Sequence, residues 1–198
     1  MRTGSRWGLA ALVTFLGPAT AFAHPGADGT SGFLHGFMHP IGGLDHILAM
    51  VAVGVFAAYL GGRALWLVPA AFVAMMALGG WLGAAGITVP HVETGIATSV
   101  IVFGLAVAAR LALPVAATAT LVGIFAIFHG HAHGAEMALN ASVLNYGAGF
   151  MLATALLHGA GIALAIGAAK LGSRSELALR AGGASMAALG FAILAGAI

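Results

Sequence analysis

The sequence predicts an all-α integral membrane protein, a bundle of about six transmembrane helices behind a cleavable signal peptide. Three observations lead there. Of the 198 residues, 61% are hydrophobic and only 6% are charged. The apolar residues gather in stretches around 20 residues long, each enough to cross about 30 Å of hydrocarbon as a helix. Short loops separate these stretches, and a soluble domain of this size could not hide so much apolar surface.

Residues 1–23 read as the signal peptide. Arg2 and Arg6 form a positive amino-terminal region, WGLAALVTFLG is a short apolar core, and AFA at 21–23 fits a small-x-small cleavage site. Cleavage would leave His24 at the mature N-terminus, where its ring and the free α-amino group could together chelate a metal. Residues 24–198 then form a single six-helix domain, with spans expected at 33–60, 64–85, 92–110, 113–132, 141–169 and 177–197. The loop signals between them are GGR at 61–63, GITVP at 86–90, Pro114 and KLGSRSE at 170–176. The 31 glycines, many inside the spans, suit helices that pack closely in lipid, where small residues let backbones approach.

Orientation follows from the basic residues. Arg63 lies between spans one and two, Arg110 between three and four, and Lys170, Arg174 and Arg180 around the loop between five and six. The loops near 86–91 and 133–140 contain no lysine or arginine. The positive-inside rule therefore puts the odd loops in the cytoplasm, with the mature N-terminus and the C-terminus outside. The signal peptide implies the same topology, that of a multi-pass protein of a bacterial inner membrane. A net charge of +2 without a basic stripe argues against a nucleic-acid partner. The absence of cysteine excludes disulfides and thiolate metal sites.

In that topology the polar residues gather at the outer side. His35, His39, Asp45 and His46 fall in the outer half of span one. His91 and Glu93 start span three, and His129, His131, His133 and Glu136 end span four. Only His158 is expected near mid-depth, in a hydrogen-bonded contact with Thr154.

The segment FHGHAHGAE, 128–136, packs three histidines and a glutamate into a chain with very few charges. At about 100° per residue, His129, His133 and Glu136 fall within about 60° on one helical face. His131 points the other way and reads as a surface histidine. Imidazole and carboxylate on one face make a half-site for a borderline dication such as nickel, cobalt, zinc or copper. The second cluster is HGFMHPIGGLDH, 35–46. His35, His39 and His46 share a stripe, and Asp45 is offset by roughly 80–120° in an ideal helix. Pro40, Gly42 and Gly43 favour a bend, which could bring Asp45 round and free backbone carbonyls as further ligands. An aspartate at membrane depth costs about 3 kcal/mol on insertion scales and is a functional candidate by default. Glu93 also complements the helix dipole of its first turn.

HPIGGLDH, 39–46, resembles the HPxxGxDH signature of the HupE/UreJ family of nickel permeases. FHGHAHGAE is similar to that family's second motif, FHGxxHGxE. The motifs, their order, the signal peptide and the six spans extend the resemblance over essentially the whole mature chain. It implies a permease that supplies nickel to hydrogenases and urease, with cobalt as an alternative cargo. By motif position it implies His39, Asp45, His46, His129, His133 and Glu136 as metal residues, and Glu93 less directly.

The expected function is therefore uptake of Ni²⁺, with Co²⁺, Zn²⁺ or Cu²⁺ as other cargoes, and no prosthetic group and no catalysis. His35 and His24 would be auxiliary ligands. No phosphate-binding GxxxxGK[ST] segment is present, so the chain carries no ATPase of its own. The partners expected are the ion, the lipid bilayer, and a second copy or a metallochaperone. Two other classes compete: an outward-facing metal-dependent membrane enzyme, since HGFMH fits HxxxH, and a membrane metal sensor or storage protein.

Overall fold

The structure is a computed structural model that describes residues 32–136 and 141–197. The expected signal peptide and His24 lie outside the described residues. Seven helices follow one another: α1 (Gly32–Gly42), α2 (Leu44–Leu60), α3 (Ala64–Ala84), α4 (Val92–Ala109), α5 (Val115–Ala135), α6 (Ala141–Leu171) and α7 (Ser173–Leu194). Helices α3 to α7 are each long and apolar enough to cross a membrane, and α1 with α2 makes a sixth span bent by 81°. The chain is a multi-pass membrane protein.

The bend falls at Gly43, not at Pro40. Pro40 stays inside α1 and is buried there. Its ring removes only one backbone donor, and the helix runs on to Gly42. Gly43 then turns extended (φ −98°, ψ 121°), and its carbonyl accepts the Ile47 amide that opens α2. Two other boundaries differ from expectation. Span four continues to Ala135, which keeps His133 on the helix. The loop expected at 170–176 shrinks to Gly172 alone, at φ +96°, a backbone conformation in the left-handed region that glycine adopts without strain.

Packing is set by small residues. Along the α3–α5 seam, a Cβ on Gly130 would overlap the Met76 carbonyl, and one on Gly134 would overlap the Gly80 carbonyl. These two glycines of the FHGHAHGAE segment hold the backbones together and turn their histidine neighbours away from the seam. Helix α1 packs on α6, α4 on α7, and α2 on α6, α4 and α3. Helices α2 and α5 are not a closely packed pair. Side chains fill the space between them. The core is built from Met50, Val53 and Phe56 of α2, Phe72 of α3, Val100 and Phe103 of α4, and Val122 of α5, all fully buried. Trp66, Trp81, Ile124, Leu156 and Phe191 point outward, as lipid-facing side chains should.

The two ends of the bundle differ in chemistry. Arg110 pairs with Glu176 at 2.8 Å and lies 5.3 Å over the Tyr59 ring. Arg180 Nε donates to the Ala108 carbonyl at 2.8 Å. Tyr59 and His46 stand at opposite ends of α2, on the order of 20 Å apart along the helix axis. The Arg110 and Arg180 contacts thus occupy one end and His46 the other.

Candidate metal site

The site begins with a neighbouring pair. Asp45 and His46 sit in the first turn of α2, where a carboxylate also complements the helix dipole. His46 Nδ1 lies 3.0 Å from Asp45 Oδ1 and donates to it. In neutral His46 the other nitrogen, Nε2, then carries a lone pair. That nitrogen faces His133 Nε2 of α5 at 2.6 Å, so His133 donates the proton between them. The geometry is the carboxylate–histidine pairing that orients imidazoles at metal centres. It joins two helices that are not a closely packed pair.

Two further imidazoles close around this bridge. The bend at Gly43 carries His39 of α1 to a ring-centroid distance of 4.4 Å from His133 and 6.0 Å from His46. His129, one turn before His133, is fully buried with its ring 5.4 Å from His46. The Ser99 hydroxyl of α4 donates to the Ile96 carbonyl at 2.6 Å and meets His129 Nε2 at 2.8 Å. With its single hydrogen so committed, Ser99 accepts from His129 Nε2. The lone pair of His129 is therefore on Nδ1, which is buried without a hydrogen-bond partner among the described residues. Phe150 of α6 lies against His39, His46 and His133, at centroid distances of 5.9, 6.1 and 4.9 Å. His35 is exposed at the rim, 6.3 Å from His39 and 5.7 Å from Tyr146.

Of the residues expected at the site, His39, Asp45, His46, His129 and His133 come together, with His35 beside them. Glu136 and Glu93 do not. Glu136 is exposed just past the last residue of α5, so the helical face that aligned it with His133 ends one residue short of it. Glu93 is exposed in the first turn of α4. Among the described residues no hydrogen bond or ion pair ties either glutamate to the histidines. His131 is on the far side of α5, but it is buried, not a surface residue. Its Nε2 donates to the Ile87 carbonyl at 2.8 Å and so fastens the 85–91 loop.

Asp45 does not come round to the histidine stripe; it binds the back of His46. His158 does not bond Thr154. The two are one turn apart on α6 and meet α3 as successive rungs, so Thr154 Oγ1 donates to Met76 Sδ at 3.7 Å instead. Ser99 and Phe150 escaped the sequence reading. Ser99 is a polar residue inside an apolar span, a signal that could have found it, whereas Phe150 has none.

Among the described residues no three His, Asp or Glu side chains converge as a completed metal-binding set. The bridge in particular is too short to hold an ion. Metal–nitrogen bonds of about 2.1 Å at right angles hold two ligand nitrogens about 3 Å apart. His46 and His133, sharing a proton, are closer than that. An ion held by both nitrogens needs the rings to part by roughly half an ångström. A cavity of about 220 Å³ between α3, α5 and α6 adjoins His133.

A family model described as HupE / UreJ protein matches residues 11–193. The chain belongs to the HupE / UreJ protein family. It is also 49% identical over 181 residues to Protein HupE of Rhizobium leguminosarum bv. viciae, covering 90% of this chain and 92% of that protein. No solved structure matches it. Both histidine segments of this HupE / UreJ protein, and all four clustered imidazoles, fall inside the matched region.

Proposed function

We propose that the chain is an inner-membrane permease for a borderline dication, Ni²⁺ by preference, whose cargo serves the maturation of enzymes such as hydrogenase and urease. The observation that carries this is the His46–His133 bridge, a pair of facing imidazole nitrogens held between two transmembrane helices. Membership of the HupE / UreJ family supports it. The histidine end faces outward and the arginine end inward, as the basic loops suggest.

The ion meets His35 and His39 at the rim. It then takes Nε2 of His46 and of His133, the shared proton passing by way of water to Nδ1 of His133 so that the ring stays a neutral imidazole. His39 and the Nδ1 lone pair of His129 complete an imidazole set suited to nickel. Asp45 keeps His46 in the right tautomer from behind. Its negative charge offsets part of the dication's desolvation in a low-dielectric setting. Inward movement needs no ATPase. A dication gains about 4.6 kcal/mol per 100 mV of inside-negative potential, at about 2.3 kcal/mol per charge, which is three decades of concentration ratio.

Reconstituted vesicles with an inside-negative diffusion potential test the reading. Radioactive nickel should accumulate with the wild-type chain and not with His46→Ala. Binding without accumulation would favour a storage or sensing protein instead.

A further inference from the structure

The most unusual side chain outside the cluster is His158. It is 1% exposed, and both its ring nitrogens are buried without a hydrogen-bond partner among the described residues. A neutral imidazole has one N–H to donate and one lone pair to offer, and burying both unmet is costly, so such a group calls for a reason. Simple packing does not supply one, because leucine would fill the space without the penalty.

Its position supplies the reason. Rings form a continuous line from the outer cluster to His158: His46 to His129 at 5.4 Å, His129 to Phe72 at 5.9 Å, and Phe72 to His158 at 5.0 Å. The line runs inward. His158 is eight residues past Phe150 on α6, about 12 Å deeper along the helix. On α2, Gly54 is eight residues past His46 and packs on the His158 carbonyl, so two helices give the same depth. One turn outward from the His158–Phe72 rung, Thr154 Oγ1 and Met76 Sδ face each other. That rung adds an oxygen and a soft sulfur, both weak ligands, between the cluster and the deeper imidazole.

The geometry points to His158 as a second metal-binding position, an inner station at mid-membrane that receives the dication from the outer cluster. This rests on the permease reading above. An unpartnered imidazole with a free lone pair takes the ion, and with no carboxylate beside it among the described residues the hold stays weak enough for release. Binding the ion there satisfies the lone pair that the resting structure leaves unmet.

The chain has no cysteine, which allows a direct probe. In purified His158→Cys, added Co²⁺ should produce a thiolate-to-cobalt charge-transfer band in the near ultraviolet. Thr118→Cys, a buried position near the other end of α5 and off the line, should give none. In vesicles, His158→Leu should still bind Co²⁺ at the outer cluster but accumulate it about tenfold more slowly or worse. No band from His158→Cys, or the same band from Thr118→Cys, overturns the inner station, as does wild-type uptake by His158→Leu. In each of these cases wild-type cobalt binding keeps the outer site standing. If the wild-type chain neither binds nor accumulates cobalt, the permease reading falls and takes the inner station with it.

Discussion

His46 divides its two ring nitrogens between two tasks: Nδ1 is tied to Asp45 at 3.0 Å, and Nε2 is offered to His133 at 2.6 Å. On the permease reading, Asp45 therefore acts through its neighbour as well as through its charge. Asp45→Asn keeps the shape and removes the charge, so nickel uptake should fall by about 10–100-fold, the usual cost of losing a carboxylate behind a metal-bound imidazole. Expression and folding should be normal. His131→Ala is the counterpart on the same stretch of chain as His133. It should leave uptake almost unchanged and lower thermal stability by about 1 kcal/mol through the lost bond to Ile87. Uptake assays and thermal melts on the two variants separate the roles. His129, His131 and His133 were distinguishable from sequence because 100° per residue fixes which way each points. Ser99 stood out only as a polar residue in an apolar span, and Phe150 not at all, because their part depends on which helices become neighbours.

At the level of the element, the bend at Gly43 decides the site. Without it, His39 would continue up the axis of α2 instead of folding back over His133. Gly43 also makes room for the Asp45–His46 pair, since a Cβ there would stand 2.9 Å from His46 Nδ1 and 3.0 Å from Asp45 Oδ1. Gly42 has open space around its Cβ position. Gly43→Ala should thus weaken nickel binding about tenfold by displacing that pair, while Gly42→Ala should bind as the wild type. Isothermal titration of both in detergent tests this pair of expectations. The six spans were legible because their lengths match the bilayer. The break was legible to within a few residues, since Pro40, Gly42 and Gly43 were all bend signals, but which of them turns the chain was not. Pro40 is the stronger kink signal, yet α1 runs through it to Gly42. The single-residue α6–α7 link was hidden as well. The polar run KLGSRSE reads as a loop in any solvent, but at a membrane surface its residues cap and start helices while remaining wet.

At the scale of the whole molecule, the histidine and arginine ends give the bundle a direction. Residues 63, 110 and 170 should be inaccessible from outside. Single cysteines introduced there should resist an impermeant reagent in intact cells and react after lysis, and labelling of position 63 in intact cells would reverse the topology. The central claim concerns the meeting of two helices in one site. A double-mutant cycle on His46→Ala and His133→Ala, read as nickel affinity in detergent, tests it most directly. If one ion bridges both rings, each single variant should weaken binding by about tenfold or more and the double variant by little beyond either one. Losses that simply add, or a His133→Ala variant that binds nickel as tightly as the wild type, would contradict it.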